Sequence, residues 1–355
     1  MNYPDFLVYI DCITYNHASY IEDAMKGFCM QETTFPFVAA IIDDASTDGE
    51  QNVIKRYLEE NFDFSEKAVA RKWETYDAYF IYAQHKTNKN CYFAVVLLKY
   101  NFYQLKKDKT PLISEWRNIA KYVAFCEGDD YWIDSNKLQL QVDYLDLHPD
   151  YSLCAHAANY VQNGIILKND IRSELECDLD MQDLILKGGD YLSTESLVFR
   201  YDKNAPVPLF RIIAEVGDYP LVLHMGSIGN VHYFPQIMGV YRYRTPGSWT
   251  DRHQSRGNSM YPYFKNEVQW LEEFNKETKY KYNTIIKFRI IYFAKQLMYR
   301  GDIDKKTYLS FLKFINVFKL KKEYRKDYLS QIITYKYFKQ YLLLCKIKRA
   351  ISHNN

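Results

Sequence analysis

Two pairs of adjacent aspartates each follow an apolar run that could form a buried strand. Asp43 and Asp44 come after FPFVAAII, while Asp129 and Asp130 come after YVAF and the triplet Cys-Glu-Gly. In parallel α/β sheets, side chains beyond the carboxyl ends of strands face the crevice in which ligands bind. Four carboxylates in one crevice repel one another unless a cation lies between them. Because Mg²⁺ and Mn²⁺ prefer carboxylate and phosphate oxygens, the pattern predicts a metal that joins the protein to a diphosphate.

Each pair alone also fits a plainer interpretation, since aspartate often caps the turn or the helix after a strand. Two such pairs, with Tyr131 and Trp132 directly behind the second, favour the cation site. The sequence contains neither a Gly-x-x-x-x-Gly-Lys nor a Gly-x-Gly-x-x-Gly pattern. Because these backbone cradles for phosphate are absent, a metal has to supply the positive charge that a diphosphate needs.

The elements that position these pairs alternate between strands and helices. Residues 6–13 and 35–42 are predicted strands, and each precedes a predicted helix. The first helix covers about 20–30 with Ser19 as its cap. YVAF at 122–125 is another short strand, followed by a helix within NKLQLQVDYLDLHPD that Pro149 ends. This alternation predicts a largely parallel sheet flanked by helices.

The other segments are less regular. We predict a strand at 78–83, a helical or irregular stretch at 92–107, and strands at 196–200 and 231–244. From about residue 262 onward the pattern is helical, so a boundary is expected near residue 256.

Composition and charge describe a folded globular protein with a basic end. Of 355 residues, 48% are hydrophobic, 25% charged and 17% aromatic. This number of hydrophobic residues is ample for a large core.

Residues 305–349 hold 13 Lys or Arg and two acids, so the segment carries 13 − 2 = +11, whereas the whole chain carries +2. Such a tail can form a basic amphipathic helix on an anionic membrane, or a helical subdomain with solvated lysines. One helical face would combine Leu309, Leu312, Ile315 and Phe318.

The cysteines and the apolar runs indicate the compartment. Seven cysteines without a Cys-x-x-Cys pair suit free thiols in a reducing compartment. No run reaches the roughly 20 apolar residues of a membrane-spanning helix, and the N-terminus lacks the pattern of a secretory signal. We therefore expect a cytoplasmic protein, or one attached to the inner face of the cytoplasmic membrane.

Several blocks of the sequence, in this order, resemble the family 2 glycosyltransferases of the GT-A fold. They are ITYNHASYIEDAMKGFCMQ, AAIIDDASTDGEQNVIKRY, KYVAFCEGDDYW with KLQLQ, GDYPLVL and MGVYRYRTPGSW, at 13–31, 39–57, 121–132 with 137–141, 217–223 and 238–249. The resemblance covers about the first 250 residues and leaves the C-terminal part uncovered. It implies an α/β, Rossmann-like and mainly parallel GT-A sheet flanked by helices, with a C-terminal helical extension.

The resemblance also implies roles for individual residues. Such enzymes move a sugar from a nucleotide diphosphate to an acceptor hydroxyl with inversion, assisted by Mn²⁺ or Mg²⁺. Asp218 would be the general base and Asp130 the metal ligand. The donor would contact Tyr15, Asp44, Asp129, Arg242 and Arg244, and the acceptor would contact Trp132 and Trp249. For Trp132, a place in the core is an equally good alternative.

The sequence departs from the family pattern near the proposed metal. Many relatives carry a histidine in the block that ends at Trp249, where this chain has Arg244. Arg244 could bind phosphate there, because a guanidinium matches phosphate oxygens. Alternatively, His253 or water completes the metal shell. Residues 62–115 match the family poorly, so the sugar-binding loop is not assigned.

The leading functional prediction is an inverting glycosyltransferase that uses a nucleotide-diphosphate sugar, with UDP as the first choice. Its acceptor would be a glycan or lipid-linked glycan in surface polysaccharide or lipopolysaccharide synthesis. The GT-A domain would cover 1–255, with a nucleotide-sugar half at 1–132 and an acceptor half at 133–255, and a basic helical region would cover 256–355.

Two other classes of protein remain as alternatives. One is a catalytically silent subunit of the same fold, against which Asp129, Asp130 and Asp218 argue. The other is a nucleotidyltransferase, which normally has a basic, glycine-rich loop after the first strand, where this chain has TYNHAS. No motif indicates nucleic-acid binding.

Overall fold

The first part of the chain alternates strands with helices. The computed structural model describes residues 3–246, 248–254, 258–312 and 315–331. The elements up to the middle of the chain are β1 Val8–Thr14, α1 Ile21–Cys29, β2 Phe37–Asp43, α2 Glu50–Asn61, β3 Arg71–Glu74, β4 Ala78–Gln84, β5 Cys91–Leu98, α3 Thr110–Arg117, β6 Tyr122–Phe125, β7 Tyr131–Trp132 and α4 Lys137–Leu147.

The second part begins with strands and ends with helices. Its elements are β8 Tyr151–Gln162, β9 Ile165–Asp170, β10 Cys177–Asp178, α5 Met181–Lys187, β11 Val198–Arg200, α6 Leu209–Ile212, α7 Asp218–Ile228, β12 Asn230–Arg242, α8 Trp249–Gln254, α9 Tyr261–Glu277, α10 Asn283–Arg300, α11 Lys305–Phe311 and α12 Lys322–Gln331.

In the described part of the chain, 12 strands form one mixed sheet in the order β10-β12-β8-β11-β6-β1-β2-β5-β4-β3, with β7 paired to β12 and β9 paired to β8. The four central strands β6, β1, β2 and β5 are parallel. Antiparallel strands extend the sheet on both sides of this centre. The architecture confirms the predicted mixed α/β sheet flanked by helices.

The parallel centre brings the carboxyl ends of three strands to one edge. Thr14 at the end of β1 lies opposite Asp43 at the end of β2, and Asp11 lies opposite Phe125 at the end of β6. Helices α1, α2 and α4 pack on this centre through Met25, Leu58 and Val142, among other core residues. The sheet therefore positions both aspartate pairs at the edge where α/β folds bind ligands.

Two local predictions were wrong. The stretch at 92–107 was expected to be helical or irregular, but Cys91–Leu98 is strand β5, and all eight residues are buried. A strand buried on both faces has no apolar–polar alternation, so CYFAVVLL resembles a buried helix in sequence. Ser19 does not cap α1, because Tyr20 holds the N-cap position and makes no side-chain cap hydrogen bond.

The chain divides into two compact units. The first comprises the described residues of Met1–Leu179, Gly189–Pro206 and His224–Arg252, and the second those of Asp180–Gly188, Val207–Leu223 and His253–Asn355. The first unit contains the sheet. The second is therefore built from a C-terminal helical region and two segments that come from earlier in the chain.

A buried ion pair holds the second unit together. Arg289 of α10 donates from Nε and a terminal nitrogen to the Glu267 carboxylate of α9, at 2.7 and 3.2 Å. Its other terminal nitrogen donates to the carbonyl oxygen of Leu186 in α5, at 3.0 Å. Tyr219 donates to the carbonyl oxygen of Ile185, at 2.7 Å. These bonds join all three segments of the unit.

The predicted helical face of the basic tail does not form as one helix. Helix α11 ends at Phe311, and Phe318 lies in a short 3₁₀ turn at Val317–Lys319. Residues 332–349, which carry much of the predicted charge, lie outside the described residues. Within the described part of the chain, no helix combines the length and apolar character that crossing a membrane requires.

Candidate active site

The Glu-Gly-Asp-Asp turn is held against the end of β1. The backbone N–H groups of Cys126 and Gly128 donate to the carbonyl oxygens of Asp11 and Ile13, at 3.2 and 3.1 Å. A Cβ at position 128 would lie 2.0 Å from Oγ1 of Thr14, so only glycine fits there. The turn therefore presents its acids at the carboxyl edge of the parallel strands.

Three carboxylates of this turn converge. One oxygen each from Glu127, Asp129 and Asp130 lies within 4.8 Å of the others, which makes a group that could hold a metal ion. Of the three side chains, that of Glu127 is exposed, whereas those of Asp129 and Asp130 are buried. Carboxylate oxygens at this spacing are the ligands that hard divalent cations prefer.

Asp130 is the member of the group that most needs a cation. Its Oδ1 accepts a hydrogen bond from the backbone N–H of Arg242 at 2.7 Å, while its buried Oδ2 has no hydrogen-bond partner among the described residues. Burial raises the pKa of Asp130 well above its usual value, and the neighbouring Asp129 and Glu195 raise it further. The residues therefore fit Mg²⁺ or Mn²⁺, because a cation would satisfy Oδ2 and offset the clustered negative charge.

Asp129 is held from two sides. The Thr245 hydroxyl donates to its Oδ2, and Nδ1 of His17 lies 3.8 Å from its Oδ1. His17 also lies 3.2 Å from the Thr14 hydroxyl, which donates to the buried carboxylate of Glu50. These partners were missed at the sequence level, because residues 14, 17, 50 and 245 come from three separate blocks, and the order of the blocks does not show which side chains meet.

Arg242 binds the aspartate turn and helix α1. It donates to the carbonyl oxygen of Asp129 at 2.7 Å and to the Asp23 carboxylate of α1. Its guanidinium lies 4.9 and 4.4 Å from the ring centroids of Tyr20 and Tyr131. Through these contacts Arg242 holds the aspartate turn against helix α1. The contact of Arg242 with the nucleotide stays a prediction.

The first aspartate pair does not join the carboxylate group. Asp43 accepts hydrogen bonds from the Ser46 backbone and the Gln51 side chain. Asp44 is 3% exposed and accepts from the backbone N–H of Phe102 at 2.7 Å. The expectation of four clustered acids was therefore wrong, since the metal-competent group that the described residues form takes Glu127 as its third member.

Trp132 lies in the core. It is 1% exposed, and its Nε1 donates to the carbonyl oxygen of Glu195 at 2.8 Å. The ring packs on Phe28 with centroids 5.0 Å apart, and Nζ of Lys137 lies 4.1 Å from its centroid. The structure thus supports the alternative of a core tryptophan, and the buried ring is not exposed to an acceptor sugar.

A buried polar cluster behind the turn was not predicted. Glu195, Lys137 and His156 are buried, and neither carboxylate oxygen of Glu195 has a hydrogen-bond partner among the described residues. Burial raises the pKa of Glu195 to about 7 and lowers that of Lys137 to about 7. A Cβ at Gly239 would lie 3.1 Å from both Glu195 and His156, so the glycine makes room for them. Nothing in the sequence neighbourhood of Glu195, which directly precedes the predicted strand at 196–200, indicates this burial.

The remaining predicted site residues lie in separate parts of the chain. Tyr15 follows β1 and is 38% exposed. Asp218 is the first residue of α7 and lies in the second unit, where its Oδ1 accepts from the Tyr219 backbone at 2.7 Å. Arg244 is exposed with φ of 57°, and its guanidinium lies 5.3 Å from the Tyr243 ring. The side chains of Trp249 and His253 lie outside the described residues.

Sequence comparison matches the chain to proteins of two mycobacterial species. No protein-family model matches the chain. The chain is 32% identical over 260 residues to the uncharacterized proteins Mb1547 of Mycobacterium bovis and Rv1520 of Mycobacterium tuberculosis, an alignment that covers 70% of this chain. The chain spans 64% of the length of these relatives.

Two solved structures share the architecture. A crystal structure of S. aureus TarS 1-349, and the same fragment in complex with UDP-GlcNAc, match with a TM-score of 0.50 and 13% identity, over 93% of this chain and 80% of that one. At this identity the likeness concerns the fold alone. The chain therefore has a GT-A-like glycosyltransferase fold, with a group of carboxylates at the carboxyl edge of its parallel strands.

Proposed function

We propose that the protein is an inverting family 2 glycosyltransferase that takes its sugar from a nucleotide-diphosphate donor. The observation that carries this proposal is the group formed by Glu127, Asp129 and Asp130, in which Oδ2 of Asp130 accepts no hydrogen bond from any described residue. The GT-A-like fold supports the proposal, because the donor of such a fold binds at this edge of the sheet. UDP is our first choice of nucleotide, since a TarS structure of the same fold holds UDP-GlcNAc.

The proposed reaction needs one base and one cation. Asp218 would take the proton from the acceptor hydroxyl as the new glycosidic bond forms, because a neutral hydroxyl is a weak nucleophile. Asp130 and Asp129 would hold the cation, which supplies positive charge to the leaving diphosphate. Arg242 and Thr245 would keep these two aspartates in place through the contacts described above. Inversion in one step requires no nucleophile from the protein.

Calorimetric titration with UDP tests the donor site. Wild-type protein should bind UDP in the presence of Mn²⁺ and bind it much more weakly without the metal. Asp130→Asn should lose the metal-dependent part, because Oδ2 is the oxygen left for a cation. Asp143→Asn, which makes the same change on the exposed face of α4, should bind like the wild type.

Two results would contradict this proposal. Equal UDP binding with and without Mn²⁺ would show that the site binds UDP without a cation. No binding of UDP, GDP, CMP or dTDP would favour the silent subunit of the same fold instead.

We further propose that the enzyme acts at the inner face of the cytoplasmic membrane on a glycan or lipid-linked glycan, in surface polysaccharide or lipopolysaccharide synthesis. The charge of +11 on residues 305–349 supports this location, since each basic residue near an anionic surface contributes about 1 kcal/mol. Vesicles that contain anionic lipid should bind the full chain in a salt-sensitive manner. A chain truncated after residue 302 should not bind, and equal binding of both chains would contradict the idea.

A further inference from the structure

Strands β8 and β9 form a two-stranded ribbon that ends in a tight turn. Gln162 of β8 lies opposite Ile165 of β9. The two residues between them, Asn163 and Gly164, have φ of 50° and 77°. Positive φ at both central residues is the geometry of a type I′ hairpin turn, which an Asn-Gly pair favours. The tip of the ribbon is therefore a defined hairpin that holds the start of β9 in place.

The apolar side chains at this tip are exposed on both faces of the ribbon. Ile165, Ile166 and Leu167 are 68%, 56% and 51% exposed. Successive side chains of a strand point to opposite faces, so Ile165 and Ile166 lie on opposite sides of the ribbon. Leu167 is the extra residue of a β-bulge. Because an exposed apolar strand is prone to aggregate, a partner that covers the tip is expected.

A single cation stands behind this apolar tip. Residues 159–169 contain one charged side chain, that of Lys168, and no acid. Nζ of Lys168 lies 3.0 Å from Oδ1 of the buried Asp170 and 4.2 Å from the centroid of the Tyr160 ring. A strand rises about 3.3 Å per residue, so Lys168 lies about 10 Å behind Ile165. This distance is similar to the depth of about 5–10 Å that apolar faces reach in a bilayer interface.

The ribbon starts beside the candidate active site. Val161 lies opposite Arg242 in the pairing of β8 with β12. The backbone N–H of Tyr243 donates to the carbonyl oxygen of Val161 at 2.8 Å. Arg242 in turn donates to the carbonyl oxygen of Asp129, at 2.7 Å. A surface that covers the tip would therefore lie next to the carboxylate group.

We propose that the β8–β9 ribbon inserts its tip into the interfacial layer of a lipid bilayer, with Lys168 at the level of anionic headgroups. A bilayer suits this tip better than a flat protein surface, because lipid surrounds an inserted ribbon and covers both of its apolar faces. One cation and no acid within 159–169 suit an anionic lipid surface. This inference rests on the proposed function, since the bilayer would present a lipid-linked acceptor beside the site.

Co-sedimentation of the full chain with vesicles of phosphatidylcholine and phosphatidylglycerol tests this contact. The double variant Ile165→Thr with Ile166→Thr keeps β-branched side chains, so the strand should form as before. Its partition coefficient should be about tenfold lower than that of the wild type, because less apolar surface enters the lipid. The ratio between the two proteins should be the same at about 0.1 M and about 1 M salt, since salt screens the basic tail and not apolar burial.

Leu147 provides the matched control. It is 77% exposed at the end of helix α4. Leu147→Thr makes a similar change from an apolar to a hydroxyl side chain and should partition like the wild type. In a second measurement, Ile165→Trp should gain fluorescence that brominated lipid quenches, whereas Leu147→Trp should gain fluorescence that it does not quench.

Calorimetry separates this inference from the proposed function. The double variant should bind UDP in Mn²⁺ within about twofold of the wild type, because Ile165 and Ile166 are not members of the carboxylate group. If the wild type binds no nucleotide but the double variant still loses vesicle binding, the membrane contact is supported and the proposed function is contradicted.

Three outcomes would overturn the inference and leave the proposed transferase intact. The first is an unchanged partition coefficient in the double variant. The second is a ratio that approaches one at about 1 M salt, which would assign the contact to charge. The third is a wild-type dimer that the double variant dissociates in analytical ultracentrifugation, since a second copy of the chain would then cover the tip.

Discussion

Lys137 is a single residue whose pKa is lowered by the fold. It is fully buried, its Nζ donates to Oε1 of Gln141 at 2.8 Å, and burial lowers its pKa to about 7. The ring of Trp132 covers the ammonium at 4.1 Å but replaces only part of its hydration. Near neutral pH the lysine is therefore close to losing its proton, in a cluster directly behind the proposed metal site.

This pKa makes the stability of the protein depend on pH. Between pH 7 and about 10.4 the unfolded chain keeps the Lys137 proton, whereas the folded chain releases it, so Lys137 contributes a rise in the free energy of unfolding with pH in this window. A shift from 10.5 to about 7 corresponds to about 5 kcal/mol over the whole window. Urea unfolding at pH 7 and at about pH 8.5 should show a larger rise in the wild type than in Lys137→Met. Above that range the buried thiols of Cys12, Cys91, Cys126 and Cys154, whose pKa values burial raises, contribute the opposite slope to both proteins. The exposed Lys67→Met should retain the wild-type rise, and an equal slope in Lys137→Met would assign the effect to other groups.

A variant at Asp218, the proposed general base, should separate catalysis from donor binding. If it is the general base, Asp218→Asn should slow release of the sugar from a UDP-sugar by a factor of about 10² to 10⁴. The affinity for UDP with Mn²⁺ should stay within about twofold of wild type, because the proposed base contacts the acceptor and not the nucleotide. Comparing turnover with calorimetric binding on the same sample checks both parts. Loss of UDP binding together with turnover would contradict the base role.

At the scale of elements, helix α1 fits closely against strand β7. A Cβ at Gly27 would lie 2.9 Å from both the backbone N and the backbone O of Trp132, closer than side chains approach a backbone. The adjacent Phe28 packs edge-on against the Trp132 ring. Because Trp132 follows Asp130 by two residues, this contact also sets the position of the aspartate turn.

Gly27→Ala should therefore destabilise the protein. At an open helix position the same change stabilises by about 1 kcal/mol, but here overpacking against a rigid backbone costs about 1–3 kcal/mol. Urea unfolding should show a net loss, and UDP affinity should fall with it. Lys26→Ala, on the exposed side of the same helix, should change stability by less than about 0.5 kcal/mol. Stabilisation by Gly27→Ala would mean that α1 moves freely relative to β7.

The elements also show what the sequence could predict. Helix α4 and strands β4 and β6 were predicted because their apolar residues have clear periodicity or clear boundaries, and Asp129 and Asp130 followed from their place after β6. Strand β5 was missed because it is buried on both faces. Thr245 and Glu195 were missed because their contacts depend on distant segments that meet only in the folded sheet. Asp44 illustrates the same limit, since its partners lie 58 and 59 residues away.

At the scale of the whole molecule, one ion pair supports a complete unit. Arg289 and Glu267 are 8% and 1% exposed, and Arg289 reaches α5 as well as α9. Burial lowers the pKa of Arg289, but the Glu267 carboxylate together with Tyr219 and Tyr263 raises it by more, so the pKa lies above its usual value and the guanidinium stays charged. Removing either partner leaves an uncompensated charge in the interior of the second unit.

Arg289→Met should destabilise the second unit by about 3–5 kcal/mol. The double variant Arg289→Met with Glu267→Leu should recover most of this loss, because no buried charge remains. Urea unfolding followed by far-UV circular dichroism measures both. Lys276→Met, which removes the exposed pair with Glu273, should cost less than about 1 kcal/mol. If the double variant is as unstable as the single one, the lost stability comes from the hydrogen bond to Leu186 and not from an unpaired buried charge.

The discontinuous second unit has a consequence for synthesis on the ribosome. Helix α5 leaves the ribosome roughly 100 residues before Arg289, which at common elongation rates is a delay of about 5–20 s. During that time Leu184, Ile185 and Leu186, which are buried in the finished protein, have not yet met α10. A nascent chain stalled after Arg252 would carry both early segments of the second unit without their C-terminal partners. Such a chain is a natural client for chaperones that hold exposed apolar segments.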